Sequence, residues 1–238
     1  MFGQIEHIFF DLDNTLWDFE YNSRNVIRDL FNEYNLSQRC RTDFVEFLRQ
    51  YEQVNLLLWD KLKKSEISKE QLRSSRFYNS MQMFGYDDFD LGLRLEQEYV
   101  KRSPYQKKLI DGATGLLQKL QSNYQLHIIT NGFKEVQYTK LENCMIREFF
   151  SDIIISEEVG FSKPDRRIFE QAMRITGARP HASLMVGDDM DNDFHGAIAA
   201  GMHAVHFDRN NSDSHVGSLR INALPQLIEL LGLGTGAK

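Results

Sequence analysis

The chain has 238 residues, a hydrophobic content of 42% and a formal net charge of -6. That length and apolar content can fill one large core, or a core with a smaller insert, and they argue against a disordered linker. The acidic balance provides no overall field to gather nucleic-acid polymers or anionic lipid, so any anionic ligand has to be held locally.

Cys40 and Cys144 lie far apart and form neither a CxxC pair nor a zinc-ligand spacing, so reduced, structural thiols are expected. The opening MFGQIEHIFFDLD lacks a basic n-region, and no run of about 18 apolar residues suggests a membrane span. The expectation is a soluble, cytoplasmic protein, monomer or homodimer, without a membrane partner.

In chain order, the first apolar run is His7 to Phe10, which ends at Asp11. From about Asp18 to Lys101 no strand pattern is found, and amphipathic helical spacing recurs over Asn22 to Tyr34, Asp43 to Leu62 and Lys69 to Met83. Lys61, Lys63, Lys64 and Lys69 are interleaved with Asp60, Glu66 and Glu70, the pattern of a solvated helix surface. Four further apolar runs follow: Leu126 to Ile129, Ile153 to Ile155, Leu184 to Val186 and Ala204 to Phe207. Helical patterns sit around them, over Ala113 to Leu120, Lys134 to Leu141, Arg166 to Ile175 and Asp193 to Ala200. Short runs rich in Ile, Val and Phe read as buried strands, and their alternation with helices predicts an α/β fold, a parallel sheet with helices on both faces. The segment after the first strand reads as a helical insert, and Gly232 to Lys238 as a disordered tail.

In such sheets ligands bind beyond the carboxyl ends of the strands. The residues ending these runs, with the lysine before Pro164, are Asp11, Asp13, Thr130, Lys163 and Asp188. In an extended chain Asp11 and Asp13 face one side about 7 Å apart. They suit a nucleophile with a general acid/base, or two ligands of a hard cation, or simply a turn and a cap. Asp188, Asp189, Asp191 and Asp193 place four carboxylates in six residues, a repulsive cluster unless a cation compensates it. A calcium EF-hand loop counted from Asp189 fails, because Phe194 stands where glycine is needed and Ala200 where the last glutamate belongs. A helix N-terminus rich in acids is the other reading. Thr130-Asn131-Gly132 offers a hydroxyl and a close backbone approach to an anion, and Lys163-Pro164 a point charge ahead of a helix.

Taken together, these residues resemble the haloacid dehalogenase-like (HAD) hydrolase superfamily. Its DxDxT pattern matches Asp11 to Thr15, its second motif Thr130, its third Lys163, and its GDxxxxD Gly187-Asp188 through Asp193. The surrounding TNGF at Thr130 and ISEEVGFSKPDRRIF from Ile155 are similar to the pyrimidine 5'-nucleotidase-type phosphatases. The resemblance implies a Rossmann-like core over 1–17 and 102–238, and a helical cap over 18–101 that covers the site. It implies Asp11 as nucleophile and Asp13 as general acid/base. It implies Mg2+ held by Asp11, the backbone carbonyl of Asp13, Asp188 and Asp193. Thr130, Asn131, Gly132 and Lys163 would bind the phosphoryl group of a small phosphorylated metabolite, a nucleoside 5'-monophosphate. Four residues separate Asp188 from Asp193 where many relatives have three, which leaves Asp189 as a substitute ligand.

The competing readings are a phosphatase of a sugar phosphate or phosphoglycolate, a beta-phosphoglucomutase-like mutase, and a non-catalytic binding protein on the HAD fold. A dehalogenase is disfavoured by Asp13, and a signalling receiver domain by length and by the insert. Trp17, Phe19, Trp59, Phe77 and Tyr78 offer rings for a base, and Arg73 or Arg76 a cation for a substrate anion.

Overall fold

The computed structural model describes residues 4–209, 211 and 219–233. The expected disordered tail lies, from residue 234 onward, outside the described residues. The strands are β1 His7–Phe10, β2 Gln125–Thr130, β3 Asp152–Ile155, β4 Ser183–Gly187, β5 His203–Phe207 and β6 Arg220–Ile221. All pair in parallel, in the order β3-β2-β1-β4-β5-β6. This is the doubly wound arrangement in which the strand order reverses at β1, so a crevice opens where Asp11 leaves the sheet.

The helices are α1 Phe19–Glu33, α2 Leu36–Cys40, α3 Phe44–Lys63, α4 Lys69–Gln82, α5 Phe89–Arg102, α6 Ala113–Leu120, α7 Lys134–Asn143, α8 Ser156–Val159, α9 Arg166–Thr176, α10 Gly196–Ala199 and α11 Gln226–Leu230. The chain divides into two compact units, one of Met1–Phe19 with Lys107–Lys238 and one of Glu20–Gln106.

In the first unit, side chains alternate across the sheet as the pleat requires. Ile8, Phe10, Leu126, Ile128, Leu184 and Val186 pack with Leu116 and Leu117 of α6 and Leu227 of α11. Phe9, Ile129, Ile154 and Met185 pack on the other face, with Ile168 and Phe169 of α9 and Ala197 of α10. Both faces are therefore covered, which is why the strands read as continuous apolar runs rather than alternating ones. The two-residue β6 is too short to leave a periodic signal. Cys40 and Cys144 form no disulfide with each other. No helix among the described residues is long and apolar enough to cross a membrane.

At the opposite end of the sheet from Asp11, two histidines are buried. His7 Nδ1 lies 3.1 Å from His127 Nε2, and His127 Nδ1 lies 3.1 Å from Asp152 Oδ2. Burial pulls His127 down to about 4, against the partly opposing pull of Asp152. A histidine held neutral in the folded state contributes stability above its unfolded value of about 6.5, and this is lost as pH falls towards 4. The stability difference between wild type and His127→Gln should therefore shrink by roughly 3 kcal/mol between pH 7 and 4 in urea unfolding.

The helical unit has its own core, with Val26, Ile27, Leu30, Phe31, Phe47, Phe77, Leu91 and Leu95. Through it runs an ion pair: Arg76 Nη2 meets Glu96 Oε1 at 2.6 Å and Arg76 Nε meets Oε2 at 3.1 Å, both side chains being buried. The Arg76 guanidinium also lies 4.8 Å from the Tyr99 ring centroid and donates to Asn55 Oδ1. Removing one partner strands the other charge. Arg76→Met should cost about 3–5 kcal/mol, and Arg76→Met with Glu96→Leu should recover most of it in urea unfolding.

Candidate active site

Three strand ends deliver the first groups. The Asp11 N–H donates to the Val186 carbonyl at 2.9 Å, so the first carboxylate leaves the sheet still tied to β4. Thr130 is the last residue of β2, and Asp188 follows Gly187, the last of β4. Lys163 arrives from the loop between α8 and α9. Asn131 brackets its backbone, with Nδ2 donating to the Lys163 carbonyl and Oδ1 accepting from the Lys163 N–H, each at 2.9 Å.

The Lys163 ammonium, 3% exposed as a side chain, stands 2.5 Å from Asp11 Oδ1 and 2.6 Å from Asp193 Oδ1. Asp11, Asp188 and Asp193 each present a carboxylate oxygen within 4.8 Å of the others. Burial is the main cause that raises the Asp11 carboxyl to about 7; Lys163 opposes it, and Asp193 and Asp13 add to it. Asp188 is pushed well above the usual carboxylate range by burial, then by Asp11 and Asp193, and Asp193 is raised by burial against Lys163. Three crowded carboxylates share one ammonium. Such an all-oxygen, electron-rich set fits a hard divalent cation such as Mg2+.

Asp193 reaches this group through an unusual turn. Met190–His195 is π-helical, and Asp189 caps it by accepting from the N–H groups of Asp191 and Asn192. A π turn holds one residue more than an α turn. The extra residue between Asp188 and Asp193 is taken up there, so Asp193 is carried into the trio while the Asp189 side chain serves the backbone.

Asp188 is held from two sides. Thr15 Oγ1 donates to Asp188 Oδ1 at 3.2 Å and accepts from the Asp188 N–H at 3.1 Å, and His206 Nε2 donates to the Asp188 carbonyl at 2.9 Å. Asp13 stands apart from the trio, with Oδ1 2.5 Å from Lys140 Nζ and Oδ2 accepting from Gln137 Nε2 at 2.9 Å. Thr130 Oγ1 accepts from Gln137 Nε2 at 2.6 Å and from the Gly132 N–H at 3.1 Å, so its own hydrogen is left to donate.

The structure thus brings together Asp11, Lys163, Asp188 and Asp193, and ties Asp13, Thr130 and Gly132 into a second cluster beside Gln137 and Lys140. Thr15 closes the DxDxT pattern read from the sequence, whereas Gln137, Lys140 and His206 are not singled out there; Gln137 and Lys140, three apart, share a helix face, but that spacing alone does not tell a buried polar pair from a solvated one. Of the rings and cations offered for substrate, Trp17 and Phe77 are fully buried and Arg76 is neutralised by Glu96, so none of these three presents itself.

This fold and site define a HAD-type hydrolase: the chain matches the haloacid dehalogenase-like hydrolase family over residues 8–207 and belongs to it. It is similar to HAD-hydrolase YfnB of Bacillus subtilis, 28% identical over 95% of each chain. It is similar as well to pyrimidine 5'-nucleotidase YjjG of Escherichia coli, 30% identical over 94% of this chain and 96% of that one. Pyrimidine 5'-nucleotidase PynA of Streptococcus pneumoniae is 29% identical over 87% and 86%. The crystal structure of YfnB bound to magnesium superposes with a TM-score of 0.87, covering 97% of this chain and all of that one.

This packing requires a glycine at 187 but not at 115. A Cβ on Gly187 would lie 2.2 Å from Asp193 Oδ2, whereas one on Gly115 in α6 would meet nothing within 4 Å. Gly187→Ala should destabilise by about 1–3 kcal/mol, and Gly115→Ala should stabilise by roughly 0.5–1 kcal/mol, as read from thermal unfolding.

Proposed function

We propose that the protein is a magnesium-dependent phosphomonoester hydrolase that works through an aspartyl-phosphate on Asp11 and acts on nucleoside 5'-monophosphates. The observation that carries this is the separation of two neighbouring aspartates into different surroundings, Asp11 beside Lys163 and the metal-fitting trio, Asp13 in a polar cradle outside it.

In this reading, an oxygen of the Asp11 carboxylate attacks phosphorus while Lys163 orients it and offsets the charge between two anions. Thr130 donates to a phosphoryl oxygen, and Asn131 keeps Lys163 in place. Asp13 protonates the departing alkoxide and then removes a proton from the water that cleaves the acyl phosphate. Asp11, the Asp13 backbone carbonyl, Asp188 and Asp193 would hold Mg2+. When bound, that ion keeps the carboxylates ionised and draws charge from the phosphoryl oxygens. Residues 1–17 and 102–238 would carry this chemistry, and 18–101 would serve as the cap. The nucleotide preference rests on the likeness to YjjG and PynA.

Phosphate release from pyrimidine nucleoside monophosphates, sugar phosphates and phosphoglycolate, with and without Mg2+, tests the proposal. The nucleotides should be hydrolysed fastest, and chelation should abolish turnover. Asp11→Asn should lose at least about 10³-fold in kcat. Unchanged turnover in that variant would sink the mechanism, and preference for a sugar phosphate would sink the nucleotide assignment alone.

A further inference from the structure

Helix α7 begins just after the Thr130-Asn131-Gly132 turn and directs two long polar side chains inward. Gln137 is fully buried and Lys140 is 3% exposed. Three residues apart, they are neighbours on one helix face. A buried ammonium and a buried amide are costly unless something answers them. What answers both is Asp13: Lys140 Nζ meets Oδ1 at 2.5 Å and Gln137 Nε2 meets Oδ2 at 2.9 Å.

Three features show that the surroundings are shaped for this contact. The Lys140 ammonium lies 4.2 Å from the Trp17 ring centroid and 5.7 Å from that of Phe19, aromatic faces that favour a cation and limit where it can go. Gly132 is needed where it stands, because a Cβ there would come within 2.1 Å of Gln137 Nε2. Gln137 Oε1 is buried with no hydrogen-bond partner. Leaving an amide oxygen unpaired is unfavourable for folding, so this orientation is poorly explained by stability. Its effect is to put both amide hydrogens on acceptors, one on Asp13 and one on Thr130 Oγ1.

We propose that Gln137 and Lys140 are positioning residues, a clamp that fixes the plane of the Asp13 carboxyl and ties it to the phosphoryl-binding hydroxyl of Thr130. The proposal rests on the hydrolase reading above. As the bond from phosphorus to the leaving oxygen breaks, its electron pair stays on that oxygen, and the proton of Asp13 moves there. In the second step a water oxygen bonds to phosphorus, its proton passes to Asp13, and the Asp11 carboxylate is released with its electron pair. Asp13 has to face the same point in space in both steps, and two separate donors on its two oxygens hold it there.

In the first step, the one kcat/KM reports, a clamp of this kind matters where the leaving group needs a proton and hardly at all where it does not; the second step is common to all esters. The test compares kcat/KM for 4-nitrophenyl phosphate, whose phenolate leaves unprotonated, with that for the alkyl ester hydrolysed fastest in the panel above. Lys140→Met and Gln137→Met should lose about 100-fold with the alkyl ester, and less than about 3-fold with the nitrophenyl ester. Lys140→Arg should restore part of the alkyl-ester activity. Gln137→Met should keep or raise the Tm, since it removes an unpaired buried oxygen. Equal losses on the two esters, with wild type active, would overturn the clamp and leave the hydrolase reading standing. A wild type inert towards every ester would overturn both.

Discussion

The site depends on a buried ammonium. Lys163 stands between Asp11 and Asp193, and Asp188 adds a third carboxylate to the same volume. With that one cation the group is still over-supplied with negative charge: burial raises all three acids, and repulsion from the others of the trio adds to it at Asp11 and Asp188. Without Lys163 three carboxylates could not all remain ionised so close together. Much local structure follows from this constraint: Asn131 grips the Lys163 backbone on both sides, and the β4 turn is pinned by Thr15 and His206. The residual imbalance is what makes the trio a good host for a divalent cation and an anion together.

Two aspartates two residues apart end in different electrostatic settings because different elements answer them. Asp11 faces the loop before α9, through Lys163, and Asp13 faces α7, through Lys140 and Gln137. Pairs of titratable groups held in contrasting surroundings are how one site runs distinct acid and base roles. The sheet topology makes this possible. β1 lies between β2 and β4, so the chain leaving it meets α7, which follows β2, and Asp188 and Asp193, which follow β4, while Lys163 reaches in from the connection that follows β3.

The strands were legible because both sheet faces are covered, which turns each strand into an unbroken apolar run. The order in which they pair was not written in any single run. Most of the longer helices were legible from their 3.6-residue spacing, α5 at Phe89–Arg102 being the exception, but the acidic stretch after β4 was expected to enter its helix at Asp193. Instead it enters through a π turn from Met190, because one residue more has to be accommodated before Asp193 can reach Lys163. The acidic and threonine motifs could be read because strand ends are where chemistry gathers. Gln137 and Lys140 could not, because on a helix long polar side chains ordinarily mean a solvated face. Their burial depends on where α7 lands, and only the fold decides that. Arg76 illustrates the reverse error: a cation that looked available for substrate is consumed by Glu96 inside the helical unit.

Stability and function pull apart at identifiable atoms. The hydrophobic faces of the sheet are closed by Phe9, Phe10 and Phe169, all fully buried and free of polar obligations. Towards the carboxyl edge the interior changes character. Lys163, Lys140, Asp193, Gln137 and His206 are buried, and Gln137 Oε1 and His206 Nδ1 are left unpaired. Both of these atoms belong to side chains whose other polar atom holds a site residue, Asp13 with Thr130 in one case and the Asp188 carbonyl in the other. A sequence under selection for stability alone would replace such groups with apolar ones of similar size. That these two stand at one sheet edge, each holding a site residue, is a physical reason for placing function at the edge rather than in any single motif.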